Sequence, residues 1–176
     1  ERALHARDFA LAMWDDSDGK FWTGTTDDGH TVFTDVVPLD CQTWSILALQ
    51  HLDPSVLRAL DFVESRLKVR HGFDFNEDLD GVWMEGTAQM AAALYQAGRR
   101  DRADEIVNWL RVVRMPSGAV AATDRDRVTT GFHLADGNPW LYFRRPHIGA
   151  TSWLLLAERR VNPFWLGCRS YMADAP

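Results

Sequence analysis

Two kinds of helix alternate along this chain, and their alternation limits the folds it can adopt. Residues 2–14, 57–69 and 101–114 carry apolar side chains at helical spacing on one face and charged side chains elsewhere. The intervening helical segments, residues 38–52 and 83–97 and then 149–157, are nearly uncharged on all sides. A helix that is apolar all round is buried all round, whereas an amphipathic helix buries one face. The sequence therefore predicts three outer helices packed around three inner helices.

The three inner helices also resemble one another. QTWSILAL, TAQMAAAL and ATSWLLLA, which start at positions 42, 87 and 150, align without gaps. The offsets between them are uneven, which indicates a loose repeat of helical hairpins rather than a solenoid of fixed period. We therefore expect an all-α, α/α-hairpin architecture.

The connections differ in length according to their direction. Those from an outer to an inner helix are long, over residues 15–37, 70–82 and 115–148, whereas the return connections are short. Every inner helix then begins at the same end of the array. The long loops are expected to lie together on that rim, where such scaffolds usually carry function. FWTGTTDDGHTVF in the first loop predicts a small β-hairpin.

Length and charge restrict the classes of partner. A chain of 176 residues with 46% hydrophobic residues fits one domain over residues 1–176. The net charge is -6 and the basic residues are scattered, which argues against nucleic acid or a membrane surface as a partner. No apolar run approaches the roughly 20 residues that cross a bilayer. The two cysteines lack metal-ligand spacing, and we expect no cofactor.

Three segments resemble a known group of proteins. VPLDCQTWSILALQ, GVWMEGTAQMAAALYQAGR and IGATSWLLLAERRVNPFW are similar to the inner-helix starts of the six-hairpin glycosidase superfamily. That resemblance implies an α/α toroid and a carbohydrate-active cleft at the N-terminal rim of the inner helices. A closed toroid of this kind has six hairpins, whereas this sequence has three. It is therefore a fragment of a larger toroid, a differently closed bundle, or one subunit of a homo-oligomer.

Two carboxylates stand out as candidate catalytic groups. Asp40 and Glu85 are the only Asp, Glu, Lys or Arg residues in their inner helices, and both lie at the N-terminal end. Glycosidic bond cleavage needs two carboxylates that flank the scissile bond at a separation of roughly 5 to 10 Å. The competing interpretation is that both are first-turn acidic residues favoured by the helix dipole. As an enzyme, the chain is expected to be a glycoside hydrolase with Asp40 and Glu85 as acid and base.

Aromatic and polar residues near this rim are the candidate substrate ligands, because aromatic rings stack on sugar faces. The expected set is Trp22, Trp44, Trp83, Gln89, Trp140 and His147. Core packing is the competing role for any single tryptophan. Two other functions stay open: a non-catalytic module that binds a glycan or a protein, and a sugar epimerase-like toroid that uses His133 with His147 for proton transfer.

An acidic run in the second long loop resembles part of a calcium loop. Residues 74–81, DFNEDLDG, place oxygen-bearing side chains at alternate positions before a glycine. The liganding Glu expected six residues after the glycine is replaced by Thr87. We interpret the run as a solvated turn and assign no metal.

Overall fold

The computed structural model describes residues 1–49 and 53–165, which contain six α-helices. The helices are α1 (Arg2–Ala12), α2 (Leu39–Ala48), α3 (Arg58–Arg66), α4 (Met84–Gln96), α5 (Arg100–Val112) and α6 (Ile148–Glu158). A 3-10 turn, Pro54–Leu57, precedes α3, and Asp53 caps it by accepting a hydrogen bond from the backbone N–H of Ser55. None of the described helices combines the length and apolar character needed to cross a bilayer.

Helix α4 lies at the centre of the array and packs against α2, α5 and α6. Eleven of its 13 residues are buried, and the only charged one is Glu85 in the first turn. Its small, uncharged side chains let three helices approach it closely, as the sequence predicts for an inner helix. Gly98 ends the hairpin turn after α4 with a φ of 76°, a conformation that favours glycine at the end of a helix.

Helices α3 and α5 are outer helices, as their amphipathic sequences predict. Each buries one stripe toward the inner helices: Ala59, Leu60, Phe62 and Val63 on α3, and Ala103, Ile106, Val107 and Leu110 on α5. Charged side chains on their outer faces pair across the groove, with Arg102 Nε lying 2.6 Å from Glu64 Oε1. Such partly exposed pairs contribute little, of the order of 0.2–1 kcal/mol each.

The helices at the two ends of the array depart from expectation. The predicted apolar stripe of α1 is not a buried face, since α1 has no buried residue and leaves Leu4 58% exposed. Helix α6, expected to be buried on every side, buries only Ala150, Leu154 and Ala157 and leaves Leu155 53% exposed. Both expectations were wrong because no described element covers the outer flank of either helix. The arrangement of the described residues is a layered row of hairpins with two uncovered ends.

The long loops contain four two-stranded antiparallel hairpins, so the expectation of an all-α chain was only partly right. Their strands are β1 (Trp14–Asp15) with β2 (Lys20–Phe21), β3 (Gly24–Thr25) with β4 (Val32–Phe33), β5 (Lys68–Val69) with β6 (Gly72–Phe73), and β7 (Val128–His133) with β8 (Pro139–Tyr142). The predicted hairpin in the first loop is β3–β4. The others satisfy backbone hydrogen bonds that long loops would otherwise leave unpaired.

Backbone hydrogen bonds between loops fix the N-terminal ends of α2 and α4. The N–H of Leu39 donates to the carbonyl of Phe75 at 2.8 Å, and the N–H of Met84 donates to the carbonyl of Ala122 at 2.9 Å. Neither helix has a side-chain cap, so neighbouring loops take that role. The starts of the two inner helices are thereby tied to the second and third long loops.

Candidate active site

A cleft of about 390 Å³ opens at the N-terminal ends of α2 and α4. All three long loops contribute to it, and its lining consists of Thr23, Pro38, Asp40, Cys41, Trp44, Phe75, Trp83, Glu85, Gln89, Thr130, Phe132, Trp140 and Tyr142. The long loops therefore meet on one rim, as the alternation of long and short connections predicts. The size and the largely apolar lining, with six aromatic residues, suit a small-molecule or oligomer site.

Asp40 enters this cleft from the first turn of α2, two residues after the N-cap Pro38. Burial raises the pKa of its carboxyl group, and the backbone N–H of Cys41 offsets part of that rise. Burial also raises the pKa of the Cys41 thiol to about 12, with the charge of Asp40 adding to the effect. The cleft therefore holds a poorly hydrated carboxyl group beside an un-ionised thiol.

Glu85 occupies the equivalent place in the first turn of α4 and lines the same cleft. Burial raises its pKa, the charge of His147 lowers it, and the charge of Asp40 raises it. Its Oε2 lies 3.5 Å from His147 Nδ1. That nitrogen also accepts a hydrogen bond from the backbone N–H of Ala150 at 3.2 Å, so His147 caps α6 and contacts the Glu85 carboxylate at once.

The Glu85 carboxylate lies against the backbone of Gly149, where a larger residue would overlap it. A Cβ atom at position 149 would lie 2.5 Å from Glu85 Oε2 and 2.8 Å from its Cδ, well inside van der Waals contact. Gly149 is in the first turn of α6, next to the Ile148 start of that helix. The close approach of carboxylate to backbone therefore requires glycine at this position.

Two buried nitrogen donors in the lining have no hydrogen-bond partner among the described residues: Trp83 Nε1 and Gln89 Nε2. Trp83 is 2% exposed and Gln89 is fully buried, with its Oε1 accepting a bond from Thr43 Oγ1 at 3.3 Å. The Gln89 side chain lies close enough to Glu85 to offset part of the rise in the pKa of Glu85. Its Nε2 nevertheless makes no hydrogen bond of ordinary geometry. Buried donors without partners are costly, so ligand oxygens at this point would satisfy them.

Aromatic rings form the remaining walls of the cleft. Trp83 stacks with Tyr142 at a centroid distance of 6.0 Å and contacts Phe75 at 4.7 Å. Trp140 and Trp44 are 48% and 42% exposed and present ring surface to solvent. Burial raises the pKa of Tyr142, and the charges of Glu85 and Asp40 add to it, so the phenol stays protonated at neutral pH.

The structure places the other sequence candidates around the cleft rather than in it. Trp22 lines an adjoining cavity with Asp40 and Trp44, and one face of its ring is covered by Lys20 Nζ, 4.0 Å from the centroid. His147 does not line the cleft itself but contacts Glu85, which does. His133 is exposed on β7 and is not part of the cleft lining, so the two histidines are not both presented to a ligand there.

The acidic run of the second loop forms a separate group. Carboxylate oxygens of Asp74, Asp78 and Asp80 lie within 4.8 Å of one another, close enough to hold a cation. Asp74 is buried and accepts hydrogen bonds from the N–H groups of Phe75 and Gly81. Burial raises its pKa to about 7, and the charges of Asp80 and Asp78 add to the rise. Near neutral pH a proton on Asp74 therefore relieves much of the repulsion among the carboxylates of Asp74, Asp78 and Asp80.

Several lining residues were missed by the sequence analysis, notably Phe75, Thr130, Phe132 and Tyr142. On β7, Thr130 and Phe132 are two residues apart and so share one face, as do Trp140 and Tyr142 on β8. Recognising β7 and β8 as strands would have revealed this alternation. Gly149 carried no comparable signal in the sequence.

Comparisons with known proteins show the fold. No protein-family model matches the chain, and no curated protein sequence matches it. Among solved structures, a wild-type glycosidase matches 89% of this chain with 15% identity and a TM-score of 0.62. A polysaccharide lyase matches 85% of it with 15% identity and a TM-score of 0.52. The chain spans 42% of that glycosidase and 50% of that lyase, and it shares its helical fold with parts of both.

Proposed function

We propose that this chain carries the catalytic cleft of a glycoside hydrolase, in which Asp40 and Glu85 flank the scissile bond. The observation that carries the proposal is the shared placement of these residues. Both are first-turn carboxylates of neighbouring inner helices, both line one aromatic cleft, and burial raises the pKa of both. A buried carboxyl pair supplies the acid and the base or nucleophile that glycosidic cleavage needs.

Glu85 is the better candidate for the general acid. An ionised Asp40 raises the pKa of Glu85 and a charged His147 lowers it, so Glu85 holds a proton beside an ionised Asp40 when the imidazole carries no charge. The neighbouring N–H of Cys41 favours the ionised form of Asp40. Glu85 then gives its proton to the leaving glycosidic oxygen, while Asp40 activates water or attacks the anomeric carbon.

The sugar would be held by groups that the cleft leaves unsatisfied. Trp83 Nε1 and Gln89 Nε2 are buried donors that sugar hydroxyl oxygens would accept from. Trp140 and Trp44 offer exposed ring faces for stacking. A site that hydrogen-bonds a hydroxyl rejects analogues that lack it, because the buried donor is then left unpaired.

Hydrolysis is favoured over the elimination reaction of a lyase by the charges in the cleft. Elimination next to a uronate carboxylate builds negative charge, which Arg or Lys side chains commonly stabilise. The described lining contains Asp40 and Glu85 but neither Arg nor Lys. Tyr142, which would be the base, has a raised pKa and stays protonated.

The test is release of reducing ends from a panel of neutral and acidic polysaccharides. Glu85→Gln and Asp40→Asn are each expected to lower kcat by roughly 10²- to 10⁴-fold, because the amides cannot transfer a proton. Glu105→Gln, at an exposed position on α5, is the matched control and is expected to keep full activity. The melting temperature should be close to that of the wild type in all three variants.

Three outcomes would contradict the proposal. Full activity in Glu85→Gln would remove the paired-carboxylate mechanism. Glycan binding without turnover by the wild type would favour the non-catalytic binding module, which the exposed faces of Trp44 and Trp140 would serve equally well. Products that carry an unsaturated uronate, detected by their ultraviolet absorbance, would favour a lyase.

A further inference from the structure

A second cavity, of about 290 Å³, lies behind the cleft. The extended segment that leads into α4 separates the two, since Val82 lines this rear cavity while Trp83 lines the cleft. Successive side chains of an extended segment point to opposite sides. The rear cavity is therefore a distinct site with walls of its own, to which the β5–β6 turn and α5 contribute.

Two guanidinium groups in the rear cavity, those of Arg70 and Arg144, have no partner among the described residues. By contrast, Arg102 and Arg111 on α5 both pair with carboxylates. The one carboxylate in the lining, Asp124, is already bound to the backbone N–H of Val82 at 2.9 Å. An Arg side chain has a planar fork of donors that matches a carboxylate or another oxyanion.

Arg70 occupies a backbone position that favours glycine. It is the first residue of the two-residue turn between β5 and β6, and its φ is 56°, whereas His71 has no positive φ. A hairpin turn with a positive φ at its first central residue alone is type II′, in which glycine is preferred there. Backbone strain of this kind is often found at ligand-binding sites.

An aromatic wall accompanies the two cations. Trp109 on α5 lines the rear cavity and is partly exposed, and the ring of His71 lies 6.1 Å from it. Aromatic faces pack against the apolar faces of sugar rings. The volume is just below the roughly 300–1,000 Å³ typical of small-ligand sites, which suits about one sugar residue.

We propose that the rear cavity binds a carboxylate-bearing sugar, a uronic acid residue, with its ring against Trp109 and its carboxylate on Arg70 and Arg144. The site does not depend on the hydrolase proposal, because none of its contacts involves Asp40 or Glu85. Arg144 is held in place by its backbone N–H, which donates to Asp126 Oδ1 at 2.8 Å. A neutral sugar would lack the charge-assisted bonds, and a simple carboxylate would lack the ring contact.

The experiment is calorimetric titration of the whole chain with glucuronate, with glucose and acetate as matched probes. Glucuronate is expected to bind at least about tenfold more tightly than glucose or acetate. Glucose lacks the charge-assisted bonds and acetate lacks the ring contact, and the loss of one such contact predicts a factor of this size. Arg70→Gly and Arg144→Gln should each weaken glucuronate binding by about tenfold or more. Arg159→Gln, at an exposed arginine at the end of α6, is the control and should leave binding unchanged.

Arg70→Gly separates binding from folding, because glycine relieves the positive φ and the variant should melt no lower than the wild type. Glu85→Gln should bind glucuronate as the wild type does. The proposal is overturned if millimolar glucuronate does not bind, if acetate binds as well as glucuronate, or if Arg70→Gly keeps wild-type affinity. Loss of glucuronate binding in Glu85→Gln would move the ligand to the cleft and overturn it as well.

Discussion

Gly149→Ala tests the position of the Glu85 carboxylate without touching its chemistry. The new Cβ would stand 2.5 Å from Glu85 Oε2, whereas ordinary contacts begin at 3.4 Å, so the oxygen must retreat by about 0.9 Å. A displacement of about 1 Å of a reacting group costs on the order of 10²-fold in rate. We therefore expect kcat for glycan hydrolysis to fall about 100-fold.

The same substitution is not expected to destabilise the fold. The atoms that must move are the far end of a flexible side chain, and Gly149 lies in a helical turn without a positive φ. Alanine favours a helix over glycine by at most about 1 kcal/mol, so the free energy of unfolding should be unchanged or slightly higher. Loss of activity together with undiminished stability is the distinguishing result.

The assay is reducing-end release on any glycan that the wild type cleaves, together with urea unfolding. Ser152→Ala, at an exposed position of the same helix, is the control for helix propensity and should leave kcat unchanged. If Gly149→Ala keeps kcat within about twofold of the wild type, then a displaced Glu85 carboxylate has no catalytic consequence. The role proposed for Glu85 would then be refuted.

Three further predictions concern stability and assembly. Because the pKa of Asp74 is raised to about 7 in the folded chain, the free energy of unfolding should fall as pH rises from about 4 to 7. Urea unfolding at several pH values should show a shallower fall in Asp78→Asn than in the wild type. Equal dependence of the two unfolding free energies on pH would contradict this. Millimolar calcium should leave the melting temperature unchanged. A cation site occupied at 100 times its Kd would raise the free energy of unfolding by about 2.7 kcal/mol. A clear rise in melting temperature with calcium that Asp78→Asn abolishes would contradict the prediction. The uncovered flank of α6 should drive formation of a dimer or larger assembly, and Leu155→Glu should weaken that assembly. A wild-type monomer in light scattering at tens of micromolar would contradict this.

The helical part of the fold was predictable where composition alone determines burial. Helix α4 is uncharged on every face except at Glu85, and the structure buries it on every face. The ends of the array were not predictable, because the exposure of Leu4 on α1 and of Leu155 on α6 depends on which neighbours are present. Sequence patterns report the character of a helix but not whether an element covers it. The six-hairpin toroid itself stays a prediction.

The candidate site shows the same division. Asp40 and Glu85 could be singled out because each is the lone charge of an apolar helix, and the structure places both in one cleft. Their catalytic roles stay predictions. Trp22 was expected beside them because it is a loop tryptophan that could stack on a sugar, yet Lys20 covers one face of its ring. The need for glycine at position 149 arises only when α6 meets Glu85, which is a contact between distant parts of the chain.

The cleft thiol has a practical consequence for labelling chemistry. Alkylating reagents, disulfides and peroxide react with the thiolate, and at neutral pH a thiol whose pKa is about 12 is almost entirely protonated. Cys41 should therefore stay unmodified in air and in the presence of maleimides. A fluorophore attached through an engineered surface cysteine should therefore leave the cleft unlabelled.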